Sequence, residues 1–164
     1  MSRVDSCNAV FAVLPRYITE KLQCVLNAAA RLVTGTRKID HGLSHLLHGE
    51  LHWLDVPERI HYKLGVTVHR CLQYKAPEYL VDCCTPVSDI PSRRHLRSAT
   101  RLSAFGHRAF SVARPTVWNS LPDSLCDPAL SSNSFRQSLK MRLFRRYHSA
   151  HTQRSRDALR LCAI

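Results

Sequence analysis

Ile18, Leu22, Val25, Leu26, Ala29 and Val33 recur at i, i+4, i+7, i+8, i+11 and i+15, a spacing that only a helix gathers onto one face. Gly35 stands where such a helix has to stop, because it alone takes a left-handed cap without a Cβ clash. Two further stretches follow the same rule. Asp55, with Pro57 in the first turn and Glu58 three residues on, reads as a helix start of the capping-box kind. Ile60, Leu64, Val68, Cys71 and Leu72 then follow at helical spacing. Gly65 interrupts that stripe at a cost of about 1 kcal/mol relative to alanine. Near the end, Phe135, Leu139, Leu143 and Tyr147 repeat every fourth residue, with Ser132 as the expected cap. A shorter helical turn opens at Ala76-Pro77-Glu78.

These patterns predict a mainly α-helical chain. Residues 1–84 are expected as a helical segment with its core between Pro15 and Cys84, and 85–100 as a flexible basic arm. Residues 101–148 are expected as an aromatic and basic helical subdomain, and 149–164 as a tail without stable structure. In the subdomain Phe105, Phe110 and Trp118 form an aromatic block, and Pro115, Pro122 and Pro128 read as turn formers. At 164 residues a single fold of this kind buries about two-thirds of its unfolded surface.

The charge is lopsided. Residues 1–92 hold ten Lys or Arg against nine Asp or Glu, and 93–164 hold fourteen against three, so +11 of the net +12 lies in the second part. Arginine far outnumbers lysine there, which favours forked phosphate contacts and base stacking. A block of this sign suits a polyanion, since each phosphate neutralised releases counterions whatever the sequence. No run approaches eighteen apolar residues, so no membrane span is expected. The apolar run from Ala9 to Leu14 is too short for a signal peptide and follows Asp5, which points to an intracellular protein of the nucleus or cytoplasm. Seven cysteines, irregularly spaced and with Cys83 next to Cys84, read as reduced thiols.

Catalytic and metal-binding constellations are weak. His41, His45, His48 and His52 would share one side of a regular helix, where imidazoles at i and i+4 can converge on a transition metal. Gly42 and Gly49 interrupt that helix, and no cofactor or metal is expected. His48-Gly49-Glu50 supplies half of a zinc-deaminase signature, but the P-C-x-x-C half is missing. Cys24, Cys71 and Cys126 lack any nucleophile motif and read as apolar core residues.

One stretch has a family look. Gly106, Arg108-Ala109-Phe110-Ser111-Val112-Ala113, Pro115 and Trp118-Asn119-Ser120-Leu121-Pro122 resemble the C-terminal region of non-LTR (LINE-type) retrotransposon reverse transcriptases. So do Leu26 to Lys38, Glu50-Leu51-His52-Trp53-Leu54 and Pro57-Glu58-Arg59-Ile60 upstream. The resemblance implies the thumb and tail beyond a polymerase palm. The aromatic-x-Asp-Asp turn that holds the polymerase metals is not in this sequence, so the fragment is expected to be non-enzymatic. After Leu96-Arg97-Ser98 the chain lacks a short apolar segment usual in the family.

Charge and resemblance together imply a non-catalytic binder of RNA or DNA that contacts the phosphate backbone with low sequence specificity. In the arm and the start of the subdomain the expected contacts are Arg93, Arg94, Arg97, Arg101, Arg108 and Arg114. In the closing helix they are Arg136, Lys140, Arg142, Arg145 and Arg146. Two alternatives stand beside this reading. One is a protein-interaction or scaffold module that docks on a polymerase domain of the parent protein, and the other is a relict open reading frame with no selected function.

Overall fold

A computed structural model describes residues 8–12, 14–37, 42–84, 96, 105–127 and 129–161, with the side chains of 105–109 and 148–161 excepted. The chain is mainly α-helical, and no strand occurs among the described residues. The helices are α1 (Asn8–Phe11), α2 (Arg16–Thr34), α3 (Leu43–His45), α4 (Val56–Leu72), α5 (Glu78–Val81), α6 (Phe105–Asn119) and α7 (Ser132–Leu161). A π-helical turn, Leu46–Glu50, continues α3, and a 3-10 turn, Asp123–Leu125, follows α6. None of the described helices is long and apolar enough to cross a membrane.

The centre of the fold is α4, which touches α1, α2, α5, α6 and α7. Its stripe Ile60, Leu64, Val68 and Cys71 is buried as the sequence predicts, and Gly65 has a packing reason. A Cβ at Gly65 would lie 3.0 Å from Leu139 Cδ2, so the bare backbone is the seat for α7. The propensity lost at this glycine is offset by the approach of two helices.

The described parts of 1–84 and 101–148 share one core, running from Leu26 on α2 through Val68 and Trp118 to Leu143 on α7. Leu96 joins it at 3% exposure. Its N–H donates to Asn119 Oδ1 at 3.0 Å and its carbonyl accepts from Asn119 Nδ2 at 3.3 Å, so the arm is pinned at this point. The backbone of 149–161, expected as a tail, continues α7.

Two other expectations need correction. On α2 the helix and its Gly35 stop are present, with Gly35 at φ 69°, but Val25 and Val33 are 58% and 64% exposed. Leu26 and Ala30 carry the burial, with Leu22 packed beside them, because α2 is covered along a narrow stripe only. Pro115 forms no turn. It lies inside α6, where it leaves the Ser111 carbonyl without its usual i+4 donor, and Arg114 Nε approaches that oxygen at 3.5 Å instead. Pro122 does open a turn, with Leu125 N–H donating to its carbonyl at 2.9 Å, while Pro128 lies outside the described residues.

Both tryptophans pack on the shared core, Trp118 at 1% exposure and Trp53 half-buried. Iodide is therefore expected to leave Trp118 almost unquenched and to reach Trp53 partially. Quenching of both at the rate of free indole would mean that the isolated chain does not hold this core.

Candidate nucleic-acid interface

The orientation of α7 is set by what its apolar side touches. Phe135, fully buried, stacks on His69 at 4.2 Å between ring centroids and lies 6.0 Å from Trp118. Leu139 sits over Gly65, and the Tyr147 hydroxyl accepts the Asp55 N–H at 3.0 Å. α7 therefore runs antiparallel to α4 along its length. With Phe135, Leu139 and Leu143 turned inward, Arg136, Lys140, Arg142, Arg145 and Arg146 are exposed. Between Ser132 and Tyr147 there is no Asp or Glu, so neighbouring like charges such as Arg142 and Arg146 are not offset within the helix.

The start of α7 differs from expectation by one residue. Ser131 is the cap, its Oγ accepting the Ser134 N–H at 3.1 Å, whereas Ser132 Oγ donates to Gln73 Oε1 at 2.8 Å. That second bond ties the first turn of α7 to the end of α4.

Arg114 does not belong to the interface. It is 2% exposed inside α6, beside Cys71 and Cys84. A hydrogen bond with Cys71 lowers the Cys84 thiol, the guanidinium of Arg114 lowers it further by its charge and a hydrogen bond, and burial opposes both. An arginine held this way turns no face to a phosphate. Arg93, Arg94, Arg97 and Arg101 lie outside the described residues, as does the side chain of Arg108, which sits on α6.

The structure adds cations that the sequence reading passed over. A cleft of about 210 Å³ is lined by Arg59, Tyr62 and Lys63 of α4, Lys140 of α7, and His52, Trp53 and Leu54 of the loop that leads into α4. Among the described residues, no acid lines it. Arg59 and Lys63 are one turn apart on either side of Tyr62, and the signal was present in that spacing. It was hidden because residues 1–92 are nearly neutral overall. The nearby acids Asp55 and Glu58 are engaged elsewhere, with His48 and Tyr147. His52 holds a positive φ of 51°, a conformation of the left-handed region, and its Nδ1 lies 3.1 Å from the Glu50 carbonyl.

The histidine stripe does not form. The change from α3 to the π-helical turn breaks the regular spacing, leaving His45 and His52 exposed. His48 turns inward: Nδ1–H donates to the Trp53 carbonyl at 2.8 Å, Nε2 lies 3.5 Å from Asp55 Oδ2, and the ring stacks on Tyr147 at 3.6 Å. His41 is outside the described residues. Among those that are described, no three His, Cys, Asp or Glu side chains are placed to share a metal ion.

Comparison with protein-family models, with curated proteins and with solved structures finds no match to this chain.

Proposed function

We propose that this chain is a non-catalytic nucleic-acid-binding segment that holds RNA or DNA by its phosphates, in the manner implied by its resemblance to the C-terminal region of a LINE-type reverse transcriptase. The observation that carries this reading is α7, where five exposed cations stand on a stretch without a single acid and the opposite side is anchored in the core. Like charges so placed repel one another, and a polyanion relieves the repulsion while releasing its own counterions.

The test is the salt dependence of duplex binding. With about five or six phosphate contacts, log affinity falls with log salt at a slope of roughly −5, at about −0.9 per contact. Replacing Arg142, Arg145 and Arg146 with alanine is expected to flatten the slope by up to about three units on every sequence alike. Replacing Arg37 and Lys38 is expected to change it much less. A salt-insensitive complex, or an unchanged slope in the triple variant, refutes the proposal.

A specific observation supports a second reading, docking on a polymerase domain. Tyr17, Val25, Leu32 and Val33 of α2 are exposed at 58%, 58%, 85% and 64%, apolar surface that the core does not cover. The two readings use different helices and are compatible in one parent protein.

A further inference from the structure

We propose that the cleft between α4 and α7 seats one unpaired nucleotide of an RNA or DNA strand, its base against Trp53 and Tyr62 and its phosphate on Arg59, Lys63 and Lys140. This rests on the nucleic-acid reading above and deepens it, because it turns a phosphate-binding surface into one that prefers single strands. Three observations converge. The described lining joins two aromatic side chains to three cations, the pairing that single-strand binders use to hold a base by its π-face and the backbone by its charge. The cations come from two packed helices, Arg59 and Lys63 from α4 and Lys140 from α7, so the positive lining does not depend on one element. The volume, about 210 Å³, falls below the ~300–1,000 Å³ of pockets for larger ligands, which limits the occupant to one nucleotide unit.

Duplex is a poor occupant. Its bases are stacked inside the helix, and bringing one out costs a few kcal/mol, whereas a single strand offers a base at little cost. The cleft is also separable from the arginines of the salt test, since Lys140 lies roughly 120° around α7 from Arg146 at 100° per residue. Lys140 is the link between the two surfaces. Its Nζ lies 5.6 Å from the centroid of the Phe144 ring, so the cation stands at the rim and not in the core.

The experiment measures binding of a fluorescent oligouridylate and of a hairpin duplex with the same number of phosphates, at one salt concentration, to the full chain. Tyr62→Leu, which keeps apolar volume and removes the π-face, and the double variant Arg59→Ala with Lys63→Ala are compared with the parent. Circular dichroism checks the helix content of each. The parent is expected to prefer the single strand. Each variant is expected to lose on the order of tenfold for the single strand, as when one base stack is removed, and less than about twofold for the duplex. Single strand should also quench Trp53 emission in the parent, while buried Trp118 does not respond. Equal losses for strand and duplex, or unchanged emission, overturn the cleft assignment and leave the α7 reading standing. No binding of either by the parent removes both. Uridine monophosphate binding as tightly as the oligonucleotide would reassign the cleft to a free nucleotide. Displacement by poly-glutamate as effective as by oligouridylate would reduce it to a site for any anion, and either result overturns the proposal.

Discussion

Phe135→Ala is expected to destabilise the fold by about 3–5 kcal/mol, the range for removing a large aromatic side chain from a packed interior. The position justifies the upper part of that range. Phe135 is fully buried, stacks on His69, neighbours Trp118, and stands one turn before the leucine that sits over Gly65. Its ring is thus shared by α4, α6 and α7, and the cavity left by alanine cannot close by moving one helix alone. Domains of this size have only about 5–15 kcal/mol of total stability, so a single such change brings the chain close to unfolding at ordinary temperature. Phe135→Leu retains much of the volume and should lose clearly less. Urea unfolding followed by circular dichroism measures both. A loss under about 1 kcal/mol for the alanine variant would mean that α7 does not seat on α4 through this residue, and the exposure of the α7 cations would then lack its cause.

The periodicity of this chain was legible where one helix face meets a wide core. The stripes of α4 and α7 are buried as their spacing requires, since α4 is surrounded and α7 lies along it. On α2 the same logic gave the right period and the wrong phase. A helix covered along one narrow line leaves some of its apolar residues outside, and nothing in the spacing says that Ala30 goes in while Val25 and Val33 stay out. Helix ends were harder still, because they are completed by distant side chains. The box expected from Asp55 and Glu58 is replaced by Gln23 and Tyr147. Gln23 Oε1 accepts the Val56 N–H at 2.8 Å from 33 residues away, and the Tyr147 hydroxyl takes the Asp55 N–H from 92 residues away. A local rule has no access to either. Charge misled in both directions: Arg114 belongs to the basic half by count but compensates a thiol in the core, while Arg59 and Lys63 sit in a balanced half and line a cation-rich cleft. Net charge counts residues, and a binding surface depends on which of them the packing turns outward.

The packing around His48 leads to a pH dependence of stability that its variant should expose. Burial alone would push the His48 imidazolium down. Its hydrogen bonds to Asp55 and to the Trp53 carbonyl, with the charges of Asp55 and Glu58, outweigh that and raise it above its ordinary value of 6.5. The side chain is 11% exposed and stacked on Tyr147, whose phenol burial keeps protonated. A group raised in the folded state binds its proton more tightly there than in the unfolded chain. Its contribution is therefore complete below pH 6.5 and is lost as pH rises through the folded value. Two other histidines act in the opposite sense. Burial and the charge of Arg146 lower His61, and burial with the charges of Lys75 and Arg136 lowers His69 against a hydrogen bond with the Leu130 carbonyl. Their contributions are present above 6.5 and fall away as pH drops through their lowered values. The raw stability curve mixes these signs, so the informative quantity is the difference between the parent and His48→Gln. On the acid side of pH 6.5 that difference is expected to be about 1.5–3 kcal/mol in favour of the parent, the worth of hydrogen bonds to a charged group. It should shrink as pH rises well above 6.5, where the parent imidazole is neutral and attracts Asp55 no more than glutamine does. Urea unfolding of both proteins across this range measures it. A difference that is flat with pH, or that grows with it, would show that His48 is neutral in the fold and that Tyr147 alone fastens the far end of α7 to the start of α4.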